Sequence, residues 1–595
     1  MEPIVTDVPR SGRQLNRAAQ VEPAVGATFR IAVVGSGPKA LFALESLSRR
    51  LSKRTQDEPR VQITVFDGNP SPGVGAAYSP EQPEFLRLNV TSEIVDVHEP
   101  GASGRLVPDF LGWAAVNAPH LHRETYPPRA DVGRYLRTAW AVVERRMATV
   151  AEVDHVFKRV VAAEPAALTQ HGRSSWTLNT ADSRGYGPYH EVLLCTGHDD
   201  DHAGALSHGW RSPTPLVPAV FPVENNLGED QVPSGSTVAV RGAALTFVDA
   251  ALALTQGRGG VFIDRGQDRF TYLRAGNEPA RILPVSRDGL LLDAKPVVGG
   301  VPEDVQALLV EARVRLRASS EMSQVLACVE STAVSILHQR TIRASSDAEW
   351  QISYTLRNGG PPESERLDRA RRVLAMSVRA AEHPESTGPA WALGRAWAGL
   401  YPAIVENLSF REFEQREWAE FSALARAMER FAFGPPLVNA RKILALVEAG
   451  VIDLSWMRAG VTIDGDGVHG PSDEDPEPDV VVDAVLAPPG VSGSQQPLYR
   501  DLLERGVLSV PSGRRGARVT ESGQAVDAVG EAVAGLSLLG RATEDYVIGH
   551  DTLNRSLHPQ PQRWAERVVQ VLTERGATCP TDSIAAAAPT TAPAE

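Results

Sequence analysis

The chain has 595 residues, 42% of them hydrophobic and 22% charged, which is ordinary for a soluble globular protein with room for about three or four domains of ~150 residues. Its formal net charge of −13 argues against a general nucleic-acid binder and suits a soluble cytoplasmic enzyme. Three distant cysteines exclude a disulfide framework and a CxxC redox pair, no apolar run approaches the ~20 residues of a membrane span, and no His or Cys spacing indicates a metal site.

Residues 1–28 are polar, lack the apolar core of a secretory signal and are expected to form a disordered leader. The strongest motif follows it. The apolar run Ile31–Val34 predicts a strand, the residues GSGPKA at 35–40 predict a turn, and spaced leucines then predict a helix. Gly35 would permit the tight turn, Gly37 a close backbone approach to a pyrophosphate, and Ala40 close packing of helix and strand.

An acidic residue completes this motif. Val61–Phe66 predicts a second strand, and Asp67 stands at its end, where it could bind ribose hydroxyls. The separation from Gly35 exceeds the usual ~20 residues, so the first helix and its loop are expected to be long. Strand, turn, helix and acid together predict nucleotide binding. The alternative is a glycine turn in some other α/β protein.

A loop at 73–78 leads into FLRLNVTS at 85–92. That stretch has two interpretations: a loop that lies along a flavin ring, or a buried β-hairpin in which Asn89 caps a turn. Beyond it the sequence predicts helices at 109–116 and 132–147 and strands at 153–163, 176–180 and 191–195. The last strand ends in Thr196-Gly197, small enough to pass beside a nucleotide, and Cys195 is expected to be a small buried residue rather than a reactive thiol.

A degenerate repeat of the opening motif begins at position 237. It predicts a strand at 237–240, a turn at 241–246, a helix at 247–255 and a second strand at 260–265. It is either a second nucleotide site or an ordinary βαβ unit. Asp264 would favour NADH, whereas Arg265, Arg241 or Arg258 could hold the 2′-phosphate of NADPH, so the sequence leaves this preference open.

From 302 to about 459 helical periodicity dominates, which predicts an insert of about one domain inside the second unit. The predicted helices are 305–316, 321–342, 365–381, 391–405, 410–431 and 439–449, with Trp391, Trp397 and Trp418 in their core. A strand at 479–487 is expected to close the second unit. A last strand, 536–539, ends in Gly540 and returns to the first unit, and 561–575 predicts the final helix.

These motifs resemble those of the two-dinucleotide-binding-domain flavoproteins, and more narrowly the actinobacterial FAD/NAD(P)-binding protein family, related to flavin-dependent N-hydroxylating monooxygenases such as nitrosuccinate synthase. The similar stretches are GSGPKALFALESL, FLRLNVTS, YPPRADVGRYL, VAVRGAALTFVDAALALTQGRGG, LPVSRDGLLLDAKP and GRATEDYVIGHDTLNRSLHP. The resemblance implies an α/β fold with two Rossmann-like dinucleotide-binding domains, for FAD and NAD(P), and a large α-helical insert.

The domain boundaries implied are an FAD-binding domain at 29–225 and 500–575, an NAD(P)-binding domain at 226–300 and 460–499, the insert at 301–459, and a disordered tail at 576–595. The resemblance also implies functional residues. FAD would contact Gly35, Ser36, Gly37, Pro38, Lys39, Asp67, Arg87, Leu88, Asn89, Thr91, Thr196, Gly197, Gly540, Arg541 and Thr543, and the nicotinamide cofactor would contact Arg241, Gly242, Leu245, Thr246 and Arg265.

The expected reaction follows from flavin chemistry. NADPH, or NADH, reduces FAD, and O2 forms a C4a-(hydro)peroxyflavin that N-oxygenates a small amine or amino acid, with aspartate as one candidate. Asn89 is the catalytic candidate beside the ring. Arg287 and Arg129 are the first candidates to anchor a substrate carboxylate, and Arg87, Arg241 and Lys295 are further ones.

Two other functions share these motifs. One is a flavin-dependent NAD(P)H oxidoreductase that inserts no oxygen. The other is a non-catalytic, flavin-bound protein whose helical insert binds a partner. The degenerate second glycine turn favours the latter. The sequence leaves the oligomeric state open, a homodimer included.

Overall fold

The computed structural model describes residues 28–54, 59–68, 71–121, 124–166, 175–266, 269–296, 301–341, 345–360, 368–383, 388–470 and 477–577. The predicted leader and tail lie outside these residues, apart from Thr28, Gly576 and Ala577.

The strands are β1 (Phe29–Val34), β2 (Val61–Phe66), β3 (Glu152–Val156), β4 (Val160–Ala166), β5 (Ser175–Thr180), β6 (Gly185–Tyr189), β7 (Glu191–Leu194), β8 (Leu216–Val217), β9 (Thr237–Arg241), β10 (Val261–Asp264), β11 (Phe270–Leu273), β12 (Arg281–Val285), β13 (Thr462–Asp464), β14 (Gly467–His469), β15 (Val480–Asp483), β16 (Gln524–Val526) and β17 (Ala532–Leu538). The helices are α1 (Pro38–Leu51), α2 (Phe110–Asn117), α3 (Arg129–Met147), α4 (Val223–Asn226), α5 (Leu245–Ala253), α6 (Glu303–Arg317), α7 (Met322–Thr341), α8 (Ser345–Asn358), α9 (Arg369–Glu382), α10 (Pro389–Leu408), α11 (Gln415–Ala432), α12 (Leu437–Glu448), α13 (Pro497–Glu504) and α14 (Gln560–Ala577).

The first sheet has six strands in the order β16-β17-β7-β1-β2-β3. All neighbours run parallel except β16 and β17. The inner strands are almost wholly buried, which explains their continuous apolar sequences. Helices α1, α3 and α14 pack on one face around Trp564 and Tyr135. The carboxyl ends of β1, β2, β7 and β17 therefore meet at one edge of the sheet.

One predicted strand is wrong. The sequence predicts a single strand at 153–163, but the chain bends after Val156 and forms two strands in different sheets. β3 joins the first sheet, whereas β4 joins the antiparallel sheet β4-β5-β6. Phe157, Lys158 and Arg159 are exposed in succession, so the alternation of a half-buried strand is broken there.

The second sheet has four parallel strands in the order β12-β9-β15-β8. The repeat of the opening motif is thus present as β9 followed by α5. The predicted partner of β9 is wrong, because β10 pairs antiparallel with β11 and the parallel neighbour of β9 is β12. β8 lies before position 225 in sequence and nevertheless pairs with β15 of this second sheet.

The helices at 303–448 divide between two hydrophobic cores. α9 and α12 pack against the second sheet through residues such as Leu374 and Leu446. α6, α7, α8, α10 and α11 form a core of their own, in which Trp391, Trp397 and Trp418 are buried as predicted. The sequence did not predict α8, which is rich in polar residues. Among the described residues, no helix has the length and hydrophobicity to cross a bilayer.

This second group of helices docks through Arg514 on the segment 514–553, which contains β17 and is called the C-terminal return. The Arg514 guanidinium lies 3.8 Å from the centre of the Trp418 ring, and its Nη2 donates to the carbonyl of Arg411 at 2.7 Å. The amide of Phe410 donates to the carbonyl of Tyr546 at 3.1 Å. These contacts fix the α10–α11 connection beside residues 545–548, next to the edge of the first sheet.

Arg514→Met should therefore lower the free energy of unfolding by about 2 kcal/mol, because a desolvated cation–π contact and hydrogen bonds to backbone carbonyls are lost. Chemical denaturation would measure this. The matched control is Arg416→Met on α11, whose side chain is 90% exposed and should change the stability little. Equal effects of the two substitutions would contradict the assignment.

Candidate functional site

A cleft of about 620 Å³ opens at the carboxyl edge of the first sheet. Open parallel sheets bind ligands at this edge, and the volume lies within the ~300–1,000 Å³ range of small-molecule sites. Its lining comes from segments that follow four strands and from the C-terminal return, namely 34–39, 66–68, 74–78, 158–160, 195–198, Asp200, Gln496, 539–541 and 551–553.

The turn after β1 brings backbone against backbone. Gly35 has φ of +93°, and a Cβ there would lie 2.3 Å from the carbonyl oxygen of Cys195. Only glycine fits this position. At Gly37 a Cβ would meet the Cα of Gly75 at 3.7 Å. Small residues thus let three segments converge around the first turn of α1.

Side-chain and backbone hydrogen bonds hold this turn in place. The Ser36 amide donates to Oδ2 of Asp67 at 2.7 Å, and the Ser36 hydroxyl donates to the same oxygen. The amide of Gly73 donates to the carbonyl of Ser36 at 2.6 Å. Asp67 therefore fixes the turn with one oxygen, while its carboxylate also lines the cleft.

Lys39 gives this end of the cleft a positive charge. Desolvation lowers the pKa of Lys39 to about 8, and the carboxylates of Asp551 and Glu544 oppose that shift. Its ammonium forms no ion pair with any described residue. The N-cap of α1, Gly37, has no side chain to satisfy the first helical N–H groups. An unpaired ammonium and a free helix N-terminus together suit an anion such as a diphosphate.

Other groups that line the cleft are already paired or neutral. Nη1 of Arg541 lies 2.9 Å from Oδ2 of Asp551, and its Nη2 donates to the carbonyl of Ala487 at 2.7 Å. Desolvation, with the charge of Arg541, lowers the pKa of His198 to about 4, so this imidazole is neutral at pH 7. Burial raises the pKa of Cys195 to about 12, which keeps the thiol protonated, and its burial is as predicted.

The cleft fits the dinucleotide that the sequence predicts. Backbone without side chains lies at Gly35, Gly37 and Gly75, an unpaired cation stands at Lys39, and a carboxylate ends β2. The glycine turn and the carboxylate are elements of a dinucleotide fingerprint, and the lysine adds a positive charge for the diphosphate. Of the residues assigned by resemblance to FAD, ten line this one cleft: Gly35, Ser36, Gly37, Pro38, Lys39, Asp67, Thr196, Gly197, Gly540 and Arg541.

The other residues assigned to FAD lie outside that lining. Leu88 is buried in the core below the first sheet. Asn89 accepts a hydrogen bond at its carbonyl oxygen from Nζ of Lys295. Thr91 begins a 3₁₀ turn, and Arg87 pairs with Glu124 at 3.0 Å. Thr543 is fully buried, and its hydroxyl lies 2.6 Å from Nδ1 of His550.

The residues assigned to the nicotinamide cofactor lie around the second sheet. Arg241, Gly242, Leu245 and Thr246 follow one another at the carboxyl end of β9. Gly242 has φ of +98°, which matches Gly35 in the first sheet. Nη1 of Arg241 lies 2.9 Å from Oδ2 of Asp483. Arg265 is exposed after β10, in the separate β10–β11 hairpin.

The predicted carboxylate anchors are separated from one another. Nη2 of Arg129 lies 2.7 Å from Oδ2 of Asp249, whose side chain is 4% exposed, so this pair joins α3 to α5. Arg287 is exposed in the turn after β12 and forms no ion pair with the described residues. Lys295, by contrast, reaches the carbonyl of Asn89.

Sequence reasoning assigned no role to several lining segments: 74–78, 158–160, His198, Gln496 and 551–553. A signal existed only for the first of these. Gly73 and Gly75 both have positive φ values, and the GxG pattern could have indicated a second segment that approaches the first turn. The others reach the cleft through tertiary packing alone.

Comparison with known proteins agrees with this site. Residues 32–199 match the model of a family described as FAD-NAD(P)-binding. This stretch contains the second half of β1, all of β2 and β7, and most of the lining of the cleft. The resemblance to FAD/NAD(P)-binding proteins that the sequence predicts is therefore confirmed over these residues.

The chain is also similar to named enzymes. It is 25% identical to an L-aspartate N-monooxygenase (nitrosuccinate-forming) of Streptomyces davaonensis, over 80% of this chain and 85% of that protein. It is 30% identical to a nitrosuccinic acid synthase of Aspergillus oryzae, over 44% of this chain and 41% of that protein. The solved ornithine N-hydroxylase of Kutzneria sp. 744 aligns with 92% of this chain and 100% of its own, at 12% identity and a TM-score of 0.48.

Gly35→Ala should abolish flavin retention, because the added Cβ would collide with the Cys195 carbonyl in a backbone conformation that L-residues avoid. The ratio of flavin to protein absorbance after purification measures it. Gly209→Ala is the control, since φ there is −144° and a Cβ would meet nothing within 4 Å. Normal flavin content in Gly35→Ala would show that the cleft is not the flavin site.

Arg129→Met should destabilise the protein by about 3–5 kcal/mol, because it leaves the buried Asp249 carboxylate unpaired. Burial already raises the pKa of Asp249. Protonated Asp249 needs no cation, so the loss should grow as the pH rises and shrink as it falls. Adding Asp249→Leu should restore most of the stability. If the double variant is stable and keeps its activity, Arg129 is structural rather than a substrate anchor.

Proposed function

We propose that this protein is an FAD-dependent, NAD(P)H-using monooxygenase that N-oxygenates a small amine or amino acid, with L-aspartate as the first candidate. The observation that carries the proposal is the cleft in which the turn at 35–39, Asp67, Thr196-Gly197 and Gly540-Arg541 converge. Its support comes from the similarity, over 80% of this chain, to an enzyme named for L-aspartate N-oxygenation.

The proposed cofactor contacts follow from the geometry of the cleft. Lys39 and the first turn of α1 would bind the diphosphate, and Asp67 the adenosine ribose. Gly197 and Gly540 would admit the rest of the cofactor without a side chain in the way. Asn89 does not line the cleft, and its place toward the ring rests on the resemblance alone. Bound FAD, reduced by NAD(P)H, would supply the electrons that activate O2 for transfer of one oxygen atom to the amine.

NAD(P)H would bind at the carboxyl end of β9. Gly242 and the free start of α5 repeat there the arrangement at Gly35 and α1. Leu245 and Thr246 stand at the helix N-terminus, where the pyrophosphate would lie. We retain the proposed division into an FAD-binding domain at 29–225 and 500–575, an NAD(P)-binding domain at 226–300 and 460–499, and a helical insert at 301–459.

The protein must also keep water from the reacting atoms. The helices α10 and α11 dock against residues 545–548, immediately before Asp551 of the cleft. Tyr401 and Phe433 stack edge to face at 5.0 Å, and a Cβ on Gly549 would lie 2.7 Å from the Tyr401 hydroxyl. These aromatic side chains cover the return loop, which suits a reaction that must exclude water.

The purified protein should be yellow, should oxidise NADPH or NADH in air, and should do so faster with L-aspartate than without it. Mass spectrometry should find an N-oxygenated product. NAD(P)H oxidation that yields only hydrogen peroxide with every amine in a panel would favour an oxidoreductase without oxygen insertion. A flavin that NAD(P)H fails to bleach would favour the non-catalytic interaction protein.

A further inference from the structure

One partly buried arginine of the helical insert has no hydrogen-bond or ion-pair partner among the described residues. Arg395 lies on α10, half-buried, and its guanidinium makes no hydrogen bond or ion pair with any described residue. Its Cζ lies 5.9 Å from the Trp391 ring, and its side chain lines a cavity of about 80 Å³ beside Ala294 and Phe431. One water needs only ~10–15 Å³ of such space, so a small ligand group fits.

Five other partly buried arginines around the two sheets each have a carboxylate partner. Arg129 pairs with Asp249, Arg87 with Glu124, and Arg241 with Asp483, as described above. Arg541 pairs with Asp551, and Arg430 with Asp293 at 2.8 Å. Arg395 therefore differs from its neighbours, because a desolvated charge without a counter-ion is unfavourable unless a ligand supplies one.

Lys295 is a second cation in the same region. Its ammonium lies 5.8 Å from the Phe433 ring and donates one hydrogen bond, to the carbonyl of Asn89, without an ion pair among the described residues. Arg395 is near enough that its charge, together with the larger effect of desolvation, lowers the pKa of Lys295 to about 8. Desolvation likewise lowers the pKa of Arg395, and the nearby Tyr126 opposes that shift.

Acidic groups surround Tyr401, whose ring contacts that of Phe433 at 5.0 Å. Desolvation, with the charge of Asp551, raises the pKa of Glu429 to about 7 and that of Glu544 to about 8. Both carboxyl groups, and Asp551 of the cleft, act on Tyr401. The region thus has a cationic end at Arg395 and Lys295 and an acidic end beside the cleft.

We infer that Arg395, assisted by Lys295, binds the carboxylates of a dicarboxylic amino-acid substrate. The inference rests on the proposed function and names the substrate class of that site. A planar guanidinium binds a carboxylate through two parallel hydrogen bonds, and the lysine supplies a point charge for a second one. With its carboxylates held there, the amino group would extend toward the acidic end, which adjoins the cleft.

The test measures binding apart from turnover. Calorimetry on the flavin-loaded protein would use succinate, a dicarboxylate without an amine, and L-aspartate. Arg395→Ala should weaken both by about 30-fold or more, the cost of removing one partner of a desolvated charge pair. Arg395→Lys should lose less because it keeps the charge without the planar fork. Arg371→Ala, at an exposed position on α9, should change neither.

Turnover then separates this inference from the proposed function. With aspartate, Arg395→Ala should raise KM far more than it lowers kcat, whereas a folding defect would lower flavin content and melting temperature. If wild type binds succinate, Arg395→Ala does not, and no amine is N-oxygenated, the anchor stands and the proposed function fails. If aspartate is N-oxygenated with the same KM in both proteins, the anchor is wrong and the function stands. A wild type that binds neither dicarboxylate overturns the anchor.

Should Arg395→Ala fail to fold, Lys295→Met gives the same test from the other cation. It should weaken succinate binding by a smaller factor, since one carboxylate keeps its arginine. Unchanged affinity for both dicarboxylates in Lys295→Met and in Arg395→Lys would overturn the inference.

Discussion

The close approach of two backbone segments at Gly35 and Cys195 governs the first sheet and its cleft. A single added methyl group would stand 2.3 Å from the Cys195 carbonyl oxygen, so the turn from β1 into α1 can lie against the end of the adjacent parallel strand β7 only if position 35 is glycine. The same absence of side chains opens the space at their carboxyl ends. The fold and the site thus share one requirement. A substitution that fills the space would disturb the path of the chain and the cleft together.

The helical segment acts on that cleft through its attachment to the C-terminal return. Arg514 is packed against Trp418, and residues 409–410 bond to 546–548, so α10 and α11 are held where the return leaves the first sheet. Glu544 accepts hydrogen bonds from the amides of Gly549 and Asp551, which keeps the return compact. Residues far apart in sequence consequently interact: the charge of Asp551, after desolvation, contributes to the raised pKa of Glu429. The insert therefore packs against the return that carries Asp551, while the lining of the cleft itself comes from outside the insert.

Local sequence patterns predict much of the fold. Continuous apolar strands, the glycine turns at 35–37 and 242, and the periodic helices were readable because each depends on neighbours in sequence. The errors arose where the pairing of a strand, or a helix rich in polar residues, had to be predicted. β10 was expected in the second βαβ unit but forms a hairpin with β11, and α8 packs against α7 and α10. In the site, ten residues assigned to FAD do share one cleft, since they follow strands whose ends must meet. Arg129 and Arg287 were reasonable candidates because both are cations in predicted loops. The sequence shows neither the buried partner of Arg129, which is Asp249, nor the exposure of Arg287.

The distribution of charge explains why an anchor was hard to find by residue type alone. Arginine is common around this cleft, and sequence cannot distinguish a guanidinium that neutralises a buried carboxylate from one that awaits a ligand. Asp249, Asp483 and Asp293 each occupy one arginine and so remove it from consideration. Arg395 remains because Trp391 and the phenol of Tyr126 do not neutralise its charge, and Asp293, which lines the same cavity, pairs with Arg430 instead. A dicarboxylate would bring to Arg395 and Lys295 the two negative charges that their neighbours do not provide. A neutral or basic amine would leave both cations desolvated and unpaired, so this arrangement should select against such substrates as well as for acidic ones.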